Sequence, residues 1–103
     1  MYEKSKEFVL RLKNEEINVL KNSLNSLARD AKLYLFGSRL DDSKKGGDID
    51  LLVVSPKLTK RHLRNIRLDF FKQFGEQKID IVLDDGSFKK IFNKIIFKKA
   101  VQL

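Results

Sequence analysis

The period of the apolar positions changes several times along the chain, and each change marks an element. Ile17, Leu20, Leu24 and Leu27 recur three and four residues apart, which puts them on one face of a helix. Asn14 is suited to cap that helix, and Glu15 and Glu16 fall in its first turn, where the dipole favours negative charge. The helix is expected to end near Arg29 or Asp30. Leu33-Tyr34-Leu35-Phe36 and Leu51-Leu52-Val53-Val54 are unbroken apolar runs of buried-strand length, the second stopped by Ser55-Pro56. Thr59 opens a further helix with the stripe Leu63, Ile66, Phe70 and Phe74. Phe71 lies at its flank, Arg61, Arg64 and Lys72 face away, and Gly75 closes it.

Ile79-Asp80-Ile81-Val82-Leu83 reads as a third strand with a carboxylate inside it, and an Asp buried there needs a partner. Asp84-Asp85-Gly86-Ser87 is a turn that caps a final helix. The apolar face of that helix is expected to hold Phe88, Ile91, Phe92, Ile95 and Ile96. Phe97 falls nearly opposite Phe88 at about 100° per residue. It is either a solitary exposed aromatic or, beside Val101 and Leu103, part of a partner surface. Near the start, Phe8, Leu10 and Leu12 alternate with Val9 and Arg11, a short edge strand or clamp segment. Taken in order, the elements predict an α+β fold, a small mixed sheet with helices packed largely on one face.

Composition narrows the class. A chain of 103 residues is a single domain, 1–103, that buries somewhat over ~60% of its unfolded surface; 42% hydrophobic content and eight Phe suit one modest core. Without cysteine there is neither a disulfide framework nor a Cys-based zinc site. The mixed charge of Met1 to Glu7 does not read as a signal peptide, and no apolar run approaches the ~18 residues of a membrane span, so the expected compartment is the cytoplasm. The net charge of +8 suits a polyphosphate, a nucleic acid or an acidic protein, or simply a Lys-rich solvent face. The lone His62 lies among basic residues and reads as a surface side chain.

The candidate chemistry sits around the first two strands. Gly37 ends the first, where a glycine permits positive φ or close approach of a ligand. Ser38 follows at an expected helix start, where N–H groups and the dipole favour phosphate. Gly46-Gly47 turns a polar connector into the second strand, and Asp41 and Asp42 within it read as solvated surface. Asp48 and Asp50 then share one strand face, about 6.5–7 Å apart. Two such carboxylates repel, and a hard divalent cation relieves the repulsion; Mg²⁺ is typically held by one or two carboxylates together with substrate phosphates. Singly, these signals have ordinary structural readings: Asp-x-Asp is commonly a turn or a strand-entry pair.

In this order, Phe36-Gly37-Ser38-Arg39, then Gly47-Asp48-Ile49-Asp50-Leu51-Leu52-Val53, then Asp80, they resemble the nucleotidyltransferase superfamily that includes DNA polymerase β. The likeness is greatest to its minimal nucleotidyltransferases, the small MNT antitoxin-type proteins, and covers nearly the whole chain. The resemblance implies a two-layer nucleotidyltransferase fold and a two-metal Mg²⁺ site on Asp48, Asp50 and Asp80, with Asp80 nearer the acceptor. It implies contacts from Gly37 and Ser38 to the phosphates of ATP. Arg39 is either a further phosphate contact or a salt-bridge partner of Asp41 or Asp42. The chain is too short to hold the separate substrate domain of larger relatives, so the acceptor is expected on another chain or on its own homo-oligomer. Minimal nucleotidyltransferases are commonly encoded beside a HEPN toxin, and some transfer AMP to a tyrosine of that toxin. Two rivals stand beside this reading, a binding-only antitoxin and a small basic RNA-binding domain. The second lacks exposed aromatics interleaved on a strand pair.

Overall fold

A computed structural model describes residues 12–37 and 48–103. The expected strand at Phe8 to Arg11 and the connector from Leu40 to Gly47 lie outside the described residues. Helix α1 spans Asn14–Leu27. Its N-cap is Lys13 rather than Asn14, because Glu16 reaches back to accept the Lys13 backbone N–H at 2.8 Å. It ends at Leu27, ahead of Arg29, where the Ala28 N–H bonds the Leu24 carbonyl.

Four strands follow: β1 (Lys32–Phe36), β2 (Ile49–Val54), β3 (Ile79–Asp84) and β4 (Val101–Gln102), in the spatial order β3-β2-β1-β4. β1 is antiparallel to β2 and β4, whereas β2 and β3 are parallel. A parallel pair needs a crossover, and helix α2 (Lys60–Phe74) supplies it. Thr59 caps α2 as expected, and His62 has a structural part there: its Nδ1 accepts the Thr59 N–H at 3.0 Å. Gly75 ends the helix with φ +84°.

The pleat sorts the strands between two unequal layers. Leu33 and Leu35 of β1 and Ile49, Leu51 and Val53 of β2 are buried beneath α1 and α2, against Leu20, Leu24, Leu63, Ile66 and Phe70. Burying side chains of this size contributes about 1.5–3 kcal/mol each, so this layer holds the fold. On the opposite face Tyr34 and Leu52 form a smaller cluster with Ile96 of the short helix α3 (Ile91–Lys99). The fold is thus the expected α+β arrangement, with the two long helices on one face of a mixed sheet.

The last helix departs from its expected phase. It starts at Ile91, not Phe88, and it buries Asn93 and Ile96. Ile91, Phe92 and Ile95, expected in the core, are 72%, 59% and 53% exposed. A polar anchor overrides the apolar period. The Asn93 amide donates to the buried Asp84 carboxylate at 2.8 Å and to the Leu83 carbonyl at 3.4 Å. Asp84 also accepts the N–H groups of Gly86 and Phe88, holding Phe88 at φ +52° outside the helix. Phe97 therefore turns to the sheet, its ring edge-on to Tyr34 at 5.2 Å and tilted on Phe88 at 4.5 Å. The chain's end also joins the fold, since Val101 pairs with Leu35 and the Leu103 N–H bonds the Leu33 carbonyl.

Candidate active site

The second face of the sheet is organised in rungs. Tyr34, Leu52 and Val82 form an apolar rung that packs beneath Ile96 of α3. Two residues along each strand, Phe36, Asp50 and Asp80 form the next. Parallel pairing in register sets Asp50 directly beside Asp80, with strands about 4.8 Å apart. Asp48 lies two residues before Asp50 and one rung further out, so the alternation of strand side chains brings it to the same face. Two neighbouring strands, joined along the chain by the α2 crossover, thus align three carboxylates along one end of the sheet.

Asp80 does not have the burial expected of it. β3 is the edge strand, and Asp80 is exposed on it while its neighbour Ile79 is buried. Asp50 sits deeper. Partial burial raises its carboxyl above the ordinary 3.8, the charges of Asp80 and Asp48 raise it further, and Lys78 pulls in the opposite direction.

Gly37 meets this row from β1. It has φ +83°, and a Cβ on it would overlap the Asp50 carboxylate and lie 3.0 Å from its Cγ. The backbone is left-handed, as a glycine permits, and the group that approaches it closely is the Asp50 side chain. Ser38 and Arg39, the expected phosphate contacts, lie outside the described residues.

Lys78 is a member of the site that the sequence pattern did not single out. Its Nζ lies 3.5 Å from the Asp48 carboxylate, and its carbonyl accepts the Ile49 N–H at 3.0 Å. The signal was present in Lys78-Ile79-Asp80, since alternate residues of a strand share a face, but the partner across the sheet depends on register.

The donors available here are carboxylate oxygens, the type a hard divalent cation takes, and the row carries excess negative charge about Asp50. The residues therefore fit Mg²⁺ in kind and in charge. They are aligned rather than drawn together: Asp48 is paired with Lys78, and among the described residues no three His, Cys, Asp or Glu side chains stand close enough to share one ion.

No curated protein matches the chain. The family model of the nucleotidyltransferase domain matches residues 17–102, a span that runs from α1 to β4 and includes all three aspartates and Gly37. The chain belongs to the nucleotidyltransferase domain family.

Proposed function

We propose that this chain is a minimal nucleotidyltransferase that transfers AMP from ATP to a hydroxyl, a tyrosine of a HEPN-family partner, and so acts as that toxin's antitoxin. The observation that carries this reading is the in-register pair Asp50 and Asp80, with Asp48 on the same face and Gly37 opening space beside Asp50. The charges of Asp80 and Asp48 both act against ionisation of Asp50 and Lys78 opposes them, so the alignment of the row favours a cationic ligand.

Asp48 and Asp50 are the residues to hold Mg²⁺, with Asp80 completing the set on the acceptor side. When bound there, Mg²⁺ neutralises charge developing on the α-phosphoryl oxygens and on the leaving group. Asp80, exposed at the sheet edge, accepts the proton of the incoming hydroxyl on a carboxylate oxygen in this reading. The hydroxyl oxygen forms a bond to the α-phosphorus, the bond from that phosphorus to the bridging oxygen breaks, and pyrophosphate leaves with its electron pair. Gly37, by lacking a Cβ, makes room for the Asp50 carboxylate and so keeps it in line with Asp80.

The test uses ATP labelled at the α- or the γ-phosphate, Mg²⁺, and the product of the adjoining gene. The expected result is label on a tyrosine from the α position and none from the γ position, lost with Asp50→Asn. A tight complex without label transfer would indicate an antitoxin that only masks its partner. Salt-sensitive RNA binding without nucleotide turnover would indicate an RNA module.

A further inference from the structure

A second surface lies along β3, which among the described residues is an edge strand of the sheet. The carbonyls of Lys78 and Asp84 bond β2, so the even-numbered residues of β3 turn their backbone inward and Ile79, Ile81 and Leu83 turn theirs outward. Asn93 takes the Leu83 carbonyl. Among the described residues, no hydrogen bond engages the outward N–H and C=O of Ile79 or Ile81.

This edge forms the floor of a groove of about 440 Å³. One wall is α2, through Leu63 and Arg67; the other is α3, through Phe92 and Asn93. Ile91 and Ile95 of α3 are exposed as well, outside the groove's lining. Lys60, Arg67 and Lys90 are its only charged lining residues among the described residues, and no carboxylate lines it.

We propose that this groove takes an extended segment of a partner protein, with alternating apolar and acidic residues, as an added strand on β3. A strand edge offers donors and acceptors in alternation, which another peptide backbone matches and a phosphodiester, rich in acceptors alone, does not. The side chains of an added strand point alternately to the two walls, so its apolar residues fall on the α3 side against Phe92 and its acidic residues on the α2 side beside Lys60 and Arg67. The three cations select carboxylates and disfavour basic segments. The groove's lining begins at Ile81 and does not include Asp80, and the proposal stands whether or not the chain transfers nucleotides.

The test is amide hydrogen exchange by NMR on the full chain, alone and with an acetylated and amidated heptapeptide of alternating Val and Glu. The expected result is fast exchange of the Ile79 and Ile81 amides in the chain alone and marked slowing with the peptide. Arg67→Glu and Lys90→Glu should each weaken the peptide about tenfold or more, and a Val/Lys heptapeptide should fail to bind. Four results would overturn the proposal. They are slow exchange of Ile81 in the dilute chain alone, protection that grows with protein concentration, peptide binding without protection of Ile81, and stronger protection of this edge by a single-stranded oligonucleotide.

Discussion

The carboxylate of Asp50 occupies the space that a side chain on Gly37 would fill. Gly37→Ala therefore does two things at once. It places a Cβ on a left-handed residue, costing roughly 1–2 kcal/mol, and it pushes Asp50 out of line with Asp80. A displacement of about 1 Å at a reacting centre costs on the order of a hundredfold in rate. Denaturant unfolding should show the modest loss of stability, and transfer assays at saturating ATP the much larger loss of kcat.

Asp50→Asn should abolish most transfer, by a factor on the order of 10²–10⁴, while leaving the metal-free fold as stable or slightly more so. Its pH signature follows from linkage. Burial and two like charges raise the folded carboxyl above 3.8, so the folded state binds the proton more tightly than the unfolded one. The stability from this group is fully present below 3.8 and is lost as pH rises through the raised value. Unfolding curves across that window should flatten in Asp50→Asn relative to the parent chain. A cooperative loss of folding in the mutant would instead make Asp50 a structural residue.

Lys78 competes with a cation for Asp48. Lys78→Met should tighten Mn²⁺ binding in the absence of nucleotide, measured by titration calorimetry, and Lys78→Arg should restore the weaker affinity. The ion pair is largely solvent-exposed, so its loss should change stability by no more than about 0–1 kcal/mol. Unchanged or weaker Mn²⁺ binding in Lys78→Met would remove the ammonium from the site's electrostatics.

The two sides of α3 should respond differently to the same substitution. Phe97→Ser removes the rings' contact with Tyr34 and Phe88 and should cost about 1–2 kcal/mol, less than a fully buried Phe because the side chain is 39% exposed. Ile91→Ser, at a position 72% exposed, should stay within about 0.5 kcal/mol. Thermal unfolding of the two variants measures the difference directly.

Which parts of this molecule were legible in its sequence follows from the range of the forces involved. β2 and its Asp48 and Asp50 were readable because a strand's alternation is local, and α2 because its stripe, Thr59 and Gly75 are all local signals. The phase of α3 was not, since five apolar residues suggested one face and a single buried bond from Asn93 to Asp84 chose another. β4 spans two residues, too short for any period to register. The exposure of Asp80 hangs on β3 being an edge strand and the pairing of Lys78 on the β2–β3 register, both properties of topology that the residues of β3 do not carry.

The bonds around Asp84 act as a register peg for the opposite end of β3. A slip of one residue would turn every side chain to the wrong face, but a slip of two preserves the faces, and hydrophobic pattern alone does not forbid it. Helix α3 forbids it mechanically. Through Asn93 it grips the end of β3, and through Ile96 and Phe97 it grips β1 and β2, so the three strands cannot slide past one another without breaking one hold. Asp80 lies four residues from that peg, about 13 Å along the strand. The alignment of Asp80 with Asp50 is thus enforced from a distance by groups that never touch the site, much as a dowel at one end of a joint fixes the fit at the other.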